Sequence, residues 1–228
     1  MERKVILFDM DGVLIDDGRK TEAYIKTFRK LGVNVNSELL KEGEKDRDEV
    51  IKKLLVENRL NYTYETFIDI ESITYKELVN KYGIKYIPNA KDVLKKLKFK
   101  GYNLILTTQS RHTDLVFEKT NLNKYFDFIV SRKDISNIKP NPDIYNYAKR
   151  LMNLRNNQCI VIEDTRKGIE AAKRSGIEEV ILFKPNEEKF NENLWEYKPD
   201  FVYGSLIEIL NHILDKKGDK YDKNNKNK

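Results

Sequence analysis

Val5-Ile6-Leu7-Phe8-Asp9-Met10-Asp11-Gly12-Val13-Leu14 sets four apolar residues ahead of two carboxylates one residue apart and a glycine. A short apolar run closed by glycine predicts a buried strand entering a turn. Asp9 and Asp11 then sit at the strand's carboxyl end, where open α/β sheets bind their ligands. Two carboxylates held this close in a crevice repel, so the pair persists only if a cation neutralises it or one member keeps its proton. Either state suits a catalyst, but a bare D-x-D-G is as readily an acidic strand-to-helix turn. The rest of the chain decides between the two.

At 228 residues the chain is long enough for one large domain or a domain with a sizeable insertion. With 39% apolar and 35% charged residues it reads as a soluble globular protein. No stretch approaches the roughly 20 apolar residues of a membrane helix. The N-terminus is already a strand rather than a leader, so a cytoplasmic location without membrane contact is expected. The single cysteine, in Cys159-Ile160-Val161-Ile162, reads as a packed thiol, since nothing basic is adjacent to activate it. Of the formal charge of +6, Lys216 to Lys228 supplies +4, from six lysines and two aspartates. The body is therefore nearly neutral, which argues against a basic nucleic-acid groove. Residues 215–228 are expected to form a disordered Lys/Asn/Asp tail with no specific nucleic-acid partner.

Downstream of Gly12 the apolar spacing is helical. Tyr24, Phe28 and Leu31 share one face over 20–31, Val50, Ile51, Leu54 and Leu55 over 46–57, and Phe67, Ile68, Leu78, Val79 and Tyr82 over 64–82. About seventy helical residues inserted after a first strand exceed a simple crossover, so 16–88 is expected to be a separate helical domain. Pro88-Asn89 restarts an alternating pattern, with Asn89 as an N-cap and strands expected at 102–107, 126–130, 159–162, 179–183 and 201–203. Asn141-Pro142 predicts an N-cap followed by proline at the first helical position, and Gly168 to Ser175 a short helix stopped by Gly176. Strands alternating with helices predict an α/β fold, a doubly wound Rossmann-like parallel sheet formed by 1–15 and 89–214.

The polar residues at the strand ends raise the N-terminal signal above an ordinary turn. Thr107-Thr108-Gln109-Ser110 follows the second strand, Lys139-Pro140 precedes a helix, and Glu163-Asp164 follows the fourth strand. A hydroxyl, an ammonium and a second acidic cluster around two carboxylates make a site for a phosphate and a divalent cation, because hard metals take oxygen ligands and phosphoryl transfer needs its charge neutralised.

In these stretches the chain resembles the haloacid dehalogenase superfamily, in its phosphatase branch with a helical cap of the C1 type inserted after the first motif, among phosphoglycolate phosphatase-like and β-phosphoglucomutase-like proteins. Phe8 to Leu14 is similar to the first motif, Leu104 to Thr108 to the second and Ile138 to Asp143 to the third. Val161 to Asp164, with Thr165, Gly168, Ala171, Ala172 and Gly176, is similar to the fourth. The resemblance implies a phosphomonoester hydrolase acting on a small phosphorylated metabolite. In that reading Asp9 is the nucleophile and Asp11 the general acid and later base, Thr108, Gln109 and Lys139 hold the phosphate, and Mg²⁺ is held by Asp9, the Asp11 carbonyl and Asp164, with Glu163 beside it. One departure is Gln109, where the family commonly has Asn, and Thr107 competes with Thr108 for the hydroxyl role. A monomer or homodimer is expected.

The charged stretch Glu42 to Arg47 stands where capped members place a specificity loop. Arg47 is a candidate for a substrate anion, against the simpler reading of a solvated helix start. Arg111 and Arg132 read as surface charges, and His112 and His212 as surface or packing residues. A sugar phosphomutase keeps the same aspartate pair but uses cap residues, often a histidine, and this cap has none. Outside enzymes, a phospho-accepting regulatory or scaffold domain gathers similar groups, but its acceptor should follow the third strand, with no long insertion after the first.

Overall fold

The computed structural model describes residues 4–40, 47–185, 191–192 and 195–222, with side chains up to 215 in the last helix. The charged stretch expected at Glu42 to Asp46 lies outside the described residues. Six parallel strands form one sheet, β1 (Val5–Phe8), β2 (Asn103–Thr107), β3 (Phe128–Val130), β4 (Cys159–Glu163), β5 (Glu179–Phe183) and β6 (Phe201–Tyr203), in the order β3-β2-β1-β4-β5-β6. The fold is α/β, a doubly wound Rossmann-like sheet. β1 lies between β2 and β4, where the strand order reverses, and that switch point opens a crevice at the carboxyl ends of the strands.

Strand side chains alternate between the two faces, and the alternation divides the core. Ile6, Phe8, Leu104, Leu106, Ile160 and Ile162 face the helices α4 (Ala90–Phe99) and α8 (Leu206–Asp222) and Val116 of α5 (Thr113–Thr120). Val5, Leu7, Ile105, Val161 and Val180 face α6 (Asp143–Leu151) and α7 (Arg166–Arg174). Cys159 is buried in this second layer, and burial pushes its thiol up to about 11, as expected for a packing residue.

Between β1 and β2 the chain forms α1 (Gly18–Lys30), α2 (Arg47–Glu57) and α3 (Tyr64–Tyr82). These bury a cluster of their own, in which Tyr24 and Phe28, Ile51 and Leu55, and Phe67 and Ile68 meet, with the Phe28 and Phe67 rings 4.5 Å apart. The entering and leaving segments run side by side. Ile15 pairs antiparallel with Tyr86, Asp16 N donates to Lys85 O at 3.0 Å and Ile87 N to Leu14 O at 2.9 Å.

Several local expectations are corrected. Asn89 does occupy the N-cap position of α4, but with a left-handed backbone and no side-chain cap bond. α6 begins at Asp143 with Pro142 in the cap position, while Asn141 Oδ1 accepts from Asp143 N at 3.2 Å. β3 is shorter than expected because Phe126 and Asp127 still belong to the preceding turn, where Asp127 Oδ2 caps Leu104 N at 2.8 Å. α8 runs through Asp222, into the stretch expected to be a disordered tail, because a helix nucleated by the packed Leu206–Ile213 segment extends at little further cost through residues that tolerate helix. No described helix is long and apolar enough to cross a membrane.

Candidate active site

β1 and β4 are adjacent in register, so Asp9 follows Phe8 beside Glu163 at the end of β4, and Asp9 N donates to Ile162 O at 3.0 Å. Lys139 enters from the loop before α6. Its Nζ donates to Asp9 Oδ1 at 2.6 Å, to Glu163 Oε1 at 2.5 Å and to Thr107 O at 3.3 Å. Tyr145 of α6 donates its hydroxyl to the same Glu163 oxygen. All four side chains are buried, and a buried charge persists only when paired and hydrogen-bonded. Lys139 meets both requirements for two carboxylates at once.

Two glycines make room for the acids. A Cβ on Gly12, whose φ is +82°, would stand 1.8 Å from Asp164 Oδ2, and one on Gly168 would stand 2.0 Å from Glu163 Oε2. Asp9, Glu163 and Asp164 each bring a carboxylate oxygen within 4.8 Å of the others. A donor set made only of oxygens fits a hard divalent cation. Glu163 Oε1 accepts from both Lys139 and Tyr145, and Asp9 Oδ1 accepts from Lys139.

Burial raises Asp9 to about 7, with Lys139 opposing the shift and Glu163 adding to it. Burial acts in the same direction on Asp11, but Lys20, whose Nζ lies 3.2 Å from Asp11 Oδ2, outweighs it with help from Ser110, so Asp11 is held below the ordinary carboxylate value. Burial disfavours charge on Lys139, yet Asp9 and Glu163 hold its ammonium well above the usual value.

A cleft of about 170 Å³ opens over these groups. Asp9, Asp11, Thr108, Gln109, Lys139 and Asp164 line it, as does Arg47. Of the two threonines, Thr107 is fully buried and its Oγ1 donates to Phe8 O at 3.1 Å, whereas Thr108 lines the cleft. The structure thus brings every candidate residue of the sequence together, Glu163 among them through Lys139 and the acid cluster although it does not line the cleft itself.

The match to known families decides what this cleft belongs to. Residues 6–182 match the model of the haloacid dehalogenase-like hydrolases. The chain belongs to that family. This hydrolase is 28% identical over 185 residues to the phosphorylated carbohydrates phosphatase of Thermotoga maritima, covering 78% of this chain and 83% of the relative. It is 25% identical over 219 residues to the pyrophosphatase PpaX of Bacillus cereus, covering 92% and 96%. In fold it is similar to the β-phosphoglucomutase of Clostridium difficile, with a TM-score of 0.73, 22% identity and coverage of 96% and 98%. Family and phosphatase-named relatives support a phosphoric monoester hydrolase.

Some readings of single residues change. Arg47 is not a solvated helix start: it is 3% exposed, donates from Nη2 to Asp17 Oδ2 at 2.9 Å and from Nε to Leu40 O at 2.8 Å, and lies over the Tyr24 ring. Arg111 and Arg132 line the cleft rather than standing apart from it. His112 also lines it, with its ring buried between the hydrolase's β2 loop and α3. His212 packs far along the chain against Tyr203 and Glu179, as a packing residue. Lys20, Asp48, Arg166 and Lys167 also line the cleft although the sequence carried no signal for them; Lys20 meets Asp11 from nine positions away, across a turn and a helix start.

Proposed function

We propose that this hydrolase removes the phosphate of a small phosphorylated metabolite through an aspartyl-phosphate on Asp9, with Mg²⁺ as its metal. The observation that carries the reading is the buried Lys139 shared by Asp9 and Glu163, with Asp11 and Asp164 at the same strand ends. A divalent cation held by Asp9, Asp164 and the Asp11 carbonyl, with Glu163 nearby, would screen the nucleophile from a dianionic substrate. Asp9 forms the new bond to phosphorus while the ester oxygen leaves, and Asp11, which Lys20 holds as a carboxylate in the resting cleft, takes up a proton from solvent and gives it to that oxygen. Asp11, now a carboxylate, takes a proton from the water that hydrolyses the acyl phosphate. Lys20 beside it favours this carboxylate form. Lys139, the Thr108 hydroxyl and the Gln109 backbone hold the phosphoryl oxygens.

The division into a core of 1–15 and 89–214 and a cap of 16–88 belongs to the same proposal. The separate cluster in α1–α3 and the paired crossings at 14–16 and 85–87 support a cap that closes over the cleft and excludes water. Lys20, Arg47, Arg111, Arg132, Arg166 and Lys167 line the cleft together with the acids. This cationic surplus favours a substrate with a second negative group, consistent with relatives named for pyrophosphate and phosphorylated carbohydrates. The phosphomutase reading is weaker, since residues 16–88 contain no histidine.

A panel of phosphorylated metabolites assayed with Mg²⁺ and with chelator tests the proposal. Turnover lost on chelation and restored by Mg²⁺, with phosphate trapped on Asp9, is the expected result. Phosphate trapped on any other residue overturns it.

A further inference from the structure

Where α3 meets the loop after β2, the contact is made by polar groups that none of the steps above use. Glu71 of α3 is fully buried, with Oε2 3.2 Å from His112 Nε2, and its Oε1 has no hydrogen-bond partner. Tyr75, one turn further along α3, stacks on the imidazole with ring centres 4.1 Å apart and planes 21° from parallel. The same tyrosine joins Ala23, Leu78 and Val79 in a small cluster against which Leu115 of α5 packs. Burying a carboxylate inside a helix–loop contact is costly unless the partner it meets is worth fixing.

The partner is tied to the phosphate side of the cleft. His112 lines the cleft and closes a loop whose members hold one another: Thr108 N donates to Val130 O at 2.9 Å, Ser110 N to Thr108 Oγ1 at 3.1 Å and Thr113 Oγ1 to Ser110 O at 2.9 Å. Among the described residues neither Glu71 nor His112 hydrogen-bonds Asp9, Lys139 or Asp164. Beyond its direct electrostatic effect on Asp11, a displacement of the imidazole reaches the site through the Thr108–Ser110 loop. We propose that Glu71 and His112 are a positioning pair: Glu71 fixes the imidazole from α3, and the Thr108–Ser110 loop takes its substrate-binding form only while α3 is seated on it. The catalytic consequence rests on the phosphatase reading above; the structural one does not.

The test compares E71L, H112L, the double variant, and two conservative variants. E71Q keeps an acceptor oxygen, and H112Q keeps a donor nitrogen at the position of Nε2. With the best substrate of the panel, each leucine variant should lower kcat/KM by about 10- to 100-fold, the size of effect expected from a small misplacement of a binding loop. The double variant should be no worse than either single one, and E71Q and H112Q should recover most of the loss. Hydrogen exchange on the metal-free protein should rise together in 66–80 and 108–116 in the leucine variants and remain near wild type in the conservative ones. Additive losses, equal losses in H112L and H112Q, or exchange that rises in α3 alone would overturn the pairing. Should the wild type turn over no phosphorylated substrate, the exchange comparison still decides the pair, so the two failures are distinguishable.

Discussion

Lys139 and Arg47 are both buried cations on one cleft, 7% and 3% exposed, yet the chain holds them in different ways. Lys139 stands between carboxylates that follow adjacent strands, so its place is set by the register of a sheet whose strands are themselves buried. Arg47 is held by Asp17, at the entrance to α1, and by the Leu40 carbonyl, and its position depends on how three helices sit on one another. The same contrast separates the Asp9–Lys139–Glu163 group from the Lys20–Asp11 and Glu71–His112 contacts. On the proposed function, the wall made of strand ends would hold the reacting atoms and the wall made of inserted helices would select what enters. Substitutions on the first should act on kcat and on the second chiefly on KM.

The largest effect is expected at Asp9. Asp9→Asn should lower turnover by several orders of magnitude, as removal of a nucleophile does. It should also make the protein more stable at high pH. The folded-state value of about 7 lies above the ordinary 3.8, so between those values the folded protein holds a proton that the unfolded chain has lost. Stability from this group is complete below about pH 4, falls as pH rises and is gone above about pH 7. In chelator, the Asn variant should therefore melt above wild type at alkaline pH, with the gap closing toward about pH 4. A gap that widened on acidification would break the assignment of Asp9 as the desolvated member of the group.

Asp11→Asn comes next, with a loss of roughly 10²–10⁴ in kcat for a missing acid and base. Arg47→Met should raise KM by on the order of tenfold, a loss of about 1.4 kcal/mol of substrate binding, and change kcat less. Steady-state kinetics on the same substrate gives both values. A kcat loss at Arg47 as large as that at Asp11 would mean that the helical wall takes part in the chemistry and would erase the contrast.

What could be read in the sequence follows the same division. Phe8-Asp9-Met10-Asp11-Gly12 and Val161-Ile162-Glu163-Asp164 announce themselves because apolar runs of strand length place their terminal acids without knowledge of any other element. Lys139 was legible as a lysine before a proline and a helix, although its bond to both acids depends on the order of strands. Arg47 was legible only as one of two readings, a substrate contact or a solvated helix start, and Lys20 and Glu71 were not legible in their roles. On a helix, a charged residue near the first turn looks the same whether it faces water or a cleft, and only the packing of α1 on α3 decides. His112 looked like a surface or packing residue because nothing local reveals that Glu71, forty-one positions earlier, meets its ring. The end of α8 escaped for a different reason: composition rich in Lys, Asn and Asp argues against a core, but a helix already anchored by packing needs none to continue.

The smallest effect is expected at the C-terminus, which belongs to neither wall. Leu206, Ile209, Leu210 and Ile213 bury the apolar face of α8 against the sheet, and Tyr102 donates its hydroxyl to Ile213 O at 3.1 Å, so among the described residues the contacts of α8 that close this side of the core precede Lys216. From Lys216 onward lie six lysines and two aspartates, with Tyr221 alone to stack on a base. Binding of nucleic acid by such a segment is electrostatic and fades as salt rises. A chain ending at Asp215 should therefore keep its kcat and KM for a small phosphorylated substrate, and its melting temperature should move little, because the described core contacts of α8 remain in it. A large fall in turnover, or RNA binding that persists at high salt, would make the tail a third functional surface and would require a partner much larger than a metabolite.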